Sequence, residues 1–332
     1  MAASRLSQSG AKYVEHSLDY SPPQLDITTT PPTRMFIESV IQEIQLETLQ
    51  LQSFLFSKIP TFSRVESFAF DVALVALSIR TGHLIDAFSP KDPCKGISTL
   101  LHRLKQKKSQ LFHNIVHIYE PCSEQSFFIN ASLLLAKYPP KLDGSNGSES
   151  EWRGWPYPGP VFVSTNDPPT ILSTSPDGLF AILQNIIQQI IDPSTNLTET
   201  LILPQGLPAA LTVPLAAILL EYSVAYCPSS DIVAPFPGGV TLDVYEVILK
   251  LPMLLSTRDP RSSTNLDEER PHRILKFSCP SSLVLSSPEL THQTMKERLK
   301  SCFDRRLCDA LHGNLALISV RHTIENLDTI AL

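Results

Sequence analysis

The stretch LPAALTVPLAAILLEYSVAYCP, residues 207–228, is the most apolar part of this chain and strongly constrains its fold. A helix that crosses a membrane needs about 20 unbroken apolar residues. Here Pro208 opens the stretch, Pro214 lies inside it and Glu221 interrupts it. Proline is tolerated in the first turn of a helix and is disruptive further in. We therefore predict a short buried helix from Pro214 to about Tyr222, followed by a short strand, SVAYC.

The composition is typical of a globular protein of one or two domains, with 332 residues, 42% hydrophobic and 18% charged. A net charge of −6 argues against a general nucleic-acid-binding protein, which needs a basic excess to meet phosphates. Neither G-x-G-x-x-G nor G-x-x-x-x-G-K-[ST] occurs. We predict no cofactor and no nucleic-acid or membrane partner, and we leave the oligomeric state open.

The cysteines and the N-terminus indicate the compartment. Six cysteines are scattered without a C-x-x-C motif, whereas small secreted domains are dense in disulfides. The first residues, MAASRLSQSGAKYVEHSLDY, contain no apolar core of a secretory signal. We expect a reducing intracellular location, cytoplasmic or nuclear.

The order of helical and strand patterns predicts the fold class. Residues 1–33 are polar and end in a Pro/Thr-rich segment, which predicts a flexible lead-in. Helical and strand patterns then alternate through the first two thirds of the chain, which favours an α/β fold. The last third contains strands joined by non-helical connections. We predict one layered α/β domain over 34–332, with a mixed β-sheet covered by helices and an antiparallel C-terminal section.

Two polar insertions interrupt this predicted domain, at 139–160 and 255–272. The first contains both tryptophans, Trp152 and Trp155, interleaved with proline in EWRGWPYP. Aromatic side chains of this kind can anchor a protein partner. They can equally pack back onto the parent domain.

The segment GHLIDAF provides the candidate catalytic residues. Asp86 lies near the carboxyl end of a predicted strand, where open α/β sheets usually build their sites. His83 is three residues earlier. A carboxylate in this position can act as a general base or hold a cation. The structural alternative is a helix cap or a hydrogen bond within a loop.

His113 and His117 are weaker candidates, for a metal site. They lie four residues apart in LFHNIVH, a spacing that puts both on one side of a helix or a strand. Metal ligation also needs a third ligand and groups that orient the first ones. The neighbouring sequence supplies no H-E-x-x-H glutamate, so a half-exposed strand face is favoured over a metal site.

The segments ILLEYSVAYCPSS and VTLDVYEVIL, preceded by HLIDAFSP, VHIYEP and FFINASLLLAKY, run in an order that resembles one protein family. This is an uncharacterised eukaryotic family named for an open reading frame on human chromosome 1. The resemblance covers about residues 65–325. It implies a single-domain intracellular protein and supplies no activity, cofactor or catalytic residue.

Two functional hypotheses follow. The favoured one is a non-catalytic interaction or scaffold protein, because nucleotide, metal and nucleophile motifs are absent and the first insertion suits contacts. The alternative is an enzyme of unrecognised type, with hydrolysis as one option. Its site would lie at the strand ends around Asp86 and His83, with the two other histidines nearby. Active-site residues can be scattered in sequence, so missing motifs do not exclude it.

Overall fold

The computed structural model describes residues 33–140, 159–192, 200–229, 239–250, 271–311 and 317–327. The N-terminal segment before Thr33 and nearly all of the two insertions, with Trp152 and Trp155, lie outside the described residues. Among the helices that are described, none combines the length and the apolar character that a membrane crossing requires.

Helices and strands alternate along most of the chain, and an antiparallel sheet forms its C-terminal part, so the predicted α/β class is confirmed. The helices are α1 (Thr33–Gln50), α2 (Gln52–Leu55), α3 (Phe62–Ala76), α4 (Pro93–Lys107), α5 (Ser109–Phe112), α6 (Ala131–Lys137), α7 (Leu179–Ile191), α8 (Ala209–Leu219) and α9 (His292–Leu311). The strands are β1 (Gly82–Leu84), β2 (Ile115–Glu120), β3 (Gln125–Asn130), β4 (Val161–Ser164), β5 (Thr170–Ile171), β6 (Thr200–Ile202), β7 (Val224–Cys227), β8 (Val240–Lys250), β9 (Pro271–Pro280) and β10 (Leu317–Leu327).

The described strands are divided among three sheets. The first has the order β1-β3-β2-β6, in which β2 and β6 are parallel and the other pairs antiparallel. The second has the order β5-β4-β7, with β4 and β7 parallel. The third, β10-β8-β9, is entirely antiparallel. Mixed pairing and an antiparallel C-terminal section are therefore both present.

The first sheet is buried on both faces. Because side chains alternate along a strand, Phe128 of β3 packs with α1, α3 and α4, while its neighbours Phe127 and Ile129 pack with α7 and α8. The third sheet is covered by α9, whose apolar side chains recur every four residues: Met295, Leu299, Phe303, Leu307 and Leu311.

Helix α8 begins at Ala209 and ends at Leu219, so the predicted start at Pro214 is wrong. Pro214 lies inside the helix and is buried. An interior proline costs about 3 kcal/mol, whereas burying one leucine or isoleucine side chain contributes about 1.5–3 kcal/mol. Leu215, Ile218 and Leu219 are all almost fully buried, and their burial offsets the cost.

Helix α3 ends in a Schellman turn that directs the chain back toward the helix. Ser78 has a positive φ of 58°, its N–H donates to the carbonyl of Val75, and the N–H of Ile79 donates to that of Leu74. Glycine usually occupies this left-handed position. The turn leads into Arg80 and then into β1, so residues that follow the helix return to its last turns.

Helix α8 ends in the same way, with Glu221 at the left-handed position at a φ of 64°. The N–H of Glu221 donates to Ile218 and the N–H of Tyr222 donates to Ala217. The turn holds the Glu221 carboxylate in the interior, against Thr81, which directly precedes β1, and against side chains of α6 and α9.

Glu221 is fixed by a buried ion-pair cluster. Its oxygens accept two hydrogen bonds from Arg306, at 2.6 and 2.7 Å, and one from Thr81 at 2.8 Å, and Lys137 Nζ lies 3.6 Å away. Burial raises the pKa of Glu221, but the charges of Lys137 and Arg306 outweigh it and lower that pKa to about 2. Glu221 is therefore a structural anchor for α9.

Candidate functional site

A polar cleft of about 440 Å³ opens between the α3–β1 segment and strand β9. Its lining combines ionisable side chains from parts of the chain that are far apart in sequence. They include Asp71, Arg80, His83, Asp86, His272 and Arg273. We call this site the Asp71 cleft.

Asp71, near the end of α3, is the centre of the site. Its Oδ1 accepts a hydrogen bond of 2.9 Å from Arg80 Nη1, and His272 Nε2 lies 3.5 Å from the same oxygen. Nδ1 of His83 lies 3.9 Å from Oδ2. Burial raises the pKa of Asp71, but the hydrogen bond to His272 and the charges around it lower the net value. Asp71 is thus an ionised carboxylate at neutral pH.

His83 lies on β1, and its side chain is 7% exposed. Its Nε2 has no hydrogen-bond partner among the described residues. Burial, with the charge of Arg80, lowers the pKa of His83 to about 4, although Asp71 acts in the opposite direction. The imidazole is therefore neutral at neutral pH and can offer one nitrogen as a hydrogen-bond acceptor.

His272 is held in a fixed orientation at the opposite wall. Its ring stacks on Phe70 of α3 with a centroid distance of 3.6 Å, while Nε2 contacts Asp71. If Nε2 carries the proton that the carboxylate accepts, Nδ1 is the basic nitrogen. An Asp–His pair in which the carboxylate orients the ring is the arrangement that general-base catalysis uses.

A β-bulge in β9 exposes several consecutive residues to the cleft. Val247 pairs with Leu275 and Ile248 pairs with Arg273, so Ile274 is an extra residue without a partner on β8. A bulge interrupts the alternation of side chains and can redirect them. Consecutive residues 272–276 of β9 consequently all contribute to the lining.

The rim of the cleft carries two exposed cations. Arg273 lies 3.4 Å from Glu246, and Lys276 lies 3.6 Å from Glu325. Exposed pairs of this length are weak, at about 0–1 kcal/mol, and can exchange partners readily. Both cations are therefore able to meet an anion that enters the cleft.

The two predicted catalytic residues, Asp86 and His83, both line this cleft. Asp86 is exposed, whereas His83 is buried. Asp86 follows the carboxyl end of a strand, as predicted, but β1 pairs antiparallel with β3 at the edge of the described sheet, so the rule for parallel strand ends does not apply to it. A catalytic role for either residue stays a prediction.

His113 and His117, the weak metal candidates, do not converge. His113 is exposed after α5, where its Nδ1 is 3.0 Å from the carbonyl of Gln110. His117 is buried in β2, and its Nδ1 is 2.7 Å from Thr200 Oγ1. In the described part of the chain, neither belongs to a group of three potential ligands. Strand β2 starts at Ile115, between the two histidines, so they do not lie on one side of a single helix or strand.

Sequence reasoning missed Asp71, Arg80 and His272. Asp71 lies in an apolar helix pattern, and Arg80 follows a turn that contains no glycine. His272 fell at the end of the predicted second insertion. The spacing of 201 residues between Asp71 and His272 provides no local signal for their contact.

Comparison of the chain with protein-family models, with curated proteins and with solved structures found no match. The resemblance to the chromosome 1 family thus stays a prediction.

Proposed function

We propose that the protein is a hydrolytic enzyme that acts on a small anionic molecule in the Asp71 cleft. The observation that carries the proposal is the contact between Asp71 and His272 inside a concave polar site. A histidine whose ring is fixed by stacking and by a carboxylate is a suitable general base for activating water.

The charges of the lining favour an anionic substrate. Arg80, Arg273 and Lys276 bring three positive charges, and Asp71 and Asp86 bring two negative ones. Asp71 is already paired with Arg80, so the two exposed cations of the rim are the groups most accessible to a phosphate or carboxylate group.

His83 and Asp71 have different roles in this proposal. His83 lies on the interior side of the Asp71 carboxylate. Because His83 is neutral, it adds no positive charge that would compete with His272 for this carboxylate. The Asp71 carboxylate keeps the His272 ring in one orientation and stabilises its protonated form when a proton is taken from water.

The test compares turnover of anionic ester probes by purified full-length protein and by variants. The probes are 4-nitrophenyl phosphate and mono-4-nitrophenyl succinate, which present a phosphate and a carboxylate. We expect His272→Gln to lower kcat by about 10²–10⁴-fold with a smaller change in KM. His102→Gln is the matched control, since His102 is exposed on α4 and contacts Gln106.

Equal turnover in the His272→Gln variant and the His102→Gln control would contradict the proposal. Absence of turnover of both probes, together with no binding of inorganic phosphate to the cleft in chemical-shift mapping, would also contradict it. The second outcome would favour the hypothesis of a non-catalytic interaction or scaffold protein.

An interaction role for the insertion 139–160 is a second candidate. It is supported by the position of both tryptophans, Trp152 and Trp155, among prolines in one polar segment. Affinity purification from cells, comparing the wild type with the double variant Trp152→Ala and Trp155→Ala, tests it. Loss of a partner in the variant supports the docking role, and an unchanged set of partners contradicts it.

A further inference from the structure

A second group of ionisable side chains lies at the C-terminal sheet. Asp243 is on β8, His322 is on β10 and His292 is the first residue of α9. One potential ligand atom from each residue lies within 4.8 Å of the other two. Asp243 Oδ1 is 2.6 Å from His322 Nε2 and 3.7 Å from His292 Nδ1. Three different elements thus place two imidazoles and one carboxylate around a common point.

The carboxylate of this group is buried, and only one of its two oxygens has a hydrogen-bond partner among the described residues. The side chain of Asp243 is 1% exposed, and its Oδ2 has no hydrogen-bond partner among the described residues. Buried carboxylate oxygens normally have a partner. The hydrogen bond between Asp243 and His322 accounts for Oδ1 and leaves Oδ2 without a partner among the described residues.

The donor set indicates the class of ion. Imidazole nitrogens with a carboxylate are suited to zinc and other first-row divalent metals, whereas calcium and magnesium prefer sites made of oxygens. Zinc bonds to nitrogen and oxygen measure about 2.0–2.2 Å, which separates neighbouring tetrahedral ligands by about 3.3–3.6 Å. The separations of 2.6 and 3.7 Å bracket this distance, and all three ligand atoms lie within 4.8 Å of one another, so binding of one ion requires the side chains to shift.

We propose that Asp243, His292 and His322 form a binding site for a divalent transition-metal ion of the zinc type. The side chain of His322 is 14% exposed and that of His292 is 44% exposed, so the site opens to solvent beside His292. Three protein ligands and one accessible position are the arrangement in which zinc also carries a water molecule.

Tyr245 lies beside the proposed ligands on the same face of β8. Its hydroxyl is 3.0 Å from Nδ1 of His292, and its ring centroid lies 5.1 Å from that of His322. Tyr245 and His322 are also direct partners in the β8–β10 register. Nδ1 is also the nitrogen of His292 that faces Asp243, so a metal ion bound there would replace the hydrogen bond to Tyr245.

The site is separate from the Asp71 cleft, and neither proposal depends on the other. Asp243 pairs with Cys279 on β9, whereas His272 pairs with Leu249 near the other end of the same ladder. At a rise of about 3.3 Å per residue, the two sites lie about 20 Å apart along the strands.

The test measures zinc binding by the full-length protein after removal of metals with a chelator. Titration against a chromogenic zinc indicator gives stoichiometry and affinity, and Co²⁺ in place of zinc gives a visible absorption band that reports nitrogen and oxygen ligation. We expect one tightly bound equivalent in the wild type. His292→Gln and His322→Gln should each lower the affinity at least about tenfold, and abolish the Co²⁺ band.

His113→Gln is the matched control, because His113 is exposed and contacts the carbonyl of Gln110, not this cluster. It should bind like the wild type. Far-UV circular dichroism checks that His292→Gln is folded, as we expect because the His292 side chain is 44% exposed. Failure of the wild type to bind zinc, or equal binding by the folded His292→Gln variant and the control, would overturn the proposal.

Discussion

His83 and His117 illustrate what a single residue in the sequence does and does not indicate. Burial lowers the pKa of His83 to about 4 and that of His117 to about 3. The sequence identified both as noteworthy histidines. It could not indicate their burial, because the contacts that enclose them, such as that of His117 with Thr200, span long separations in the chain.

The depressed pKa of His83 predicts acid destabilisation in a defined window. The unfolded chain binds a proton at about pH 6.5, whereas the folded protein does so only at about pH 4. The free energy of unfolding should therefore fall as the pH drops from 6.5 to 4, by about 3 kcal/mol for this group. Urea unfolding at a series of pH values measures the free energy of unfolding as a function of pH. His83→Gln should reduce the slope of this curve between pH 6.5 and 4 by the equivalent of about one proton. An unchanged slope would contradict the burial of a neutral His83.

The buried ion pairs of Glu221 predict a large loss of stability when its charge is removed. Replacing it with Gln removes the charge that faces Arg306 and Lys137 in the interior. We expect Glu221→Gln to lower the free energy of unfolding by about 3–5 kcal/mol. Asp304→Asn is the control, because Asp304 pairs with Lys300 on the surface and should change it by less than about 1 kcal/mol. Similar losses in both variants, measured by urea unfolding, would contradict this account.

The start of a helix is predictable where the sequence carries a complete local signal. At the start of α4, Pro93 follows Asp92, and the Asp92 side chain accepts a hydrogen bond from the N–H of Lys95. The ends of α3 and α8 could not be predicted, because Ser78 and Glu221 occupy positions where glycine is the usual signal. The position of Pro214 inside α8 was missed because tertiary burial outweighed the local cost.

Strand β1 depends on a close approach that only glycine permits. A Cβ atom at Gly82 would contact the carbonyl oxygen of Leu219 and lie 2.6 Å from Cδ1 of Ile129. We expect Gly82→Ala to destabilise the protein by about 1–3 kcal/mol, because backbone would have to move. Gly159→Ala is the control, with no atom within 4 Å of its Cβ, and should be neutral or slightly stabilising. Thermal unfolding distinguishes them, and equal midpoints would show that β1 does not depend on this contact.

At the scale of the whole molecule, the fold class was predictable, whereas only His83 and Asp86 of the site were identified from the sequence. The alternation of helical and strand patterns, with β-rich segments near the C-terminus, is a local property of the sequence and identified the α/β class. The Asp71 cleft exists because the turn after α3 and the bulge in β9 meet at one place. Such a meeting depends on how the sheets pack, which periodicity does not determine.

Chemical-shift mapping of the labelled full-length protein with inorganic phosphate tests the Asp71 cleft most directly. Phosphate carries the charge that the rim cations Arg273 and Lys276 are proposed to meet. We predict saturable shifts concentrated at Asp71, His272 and Arg273, and their loss in the double variant Arg273→Gln and Lys276→Gln. Shifts that are absent from these residues, or that persist unchanged in the double variant, would contradict an anion-binding site in the cleft.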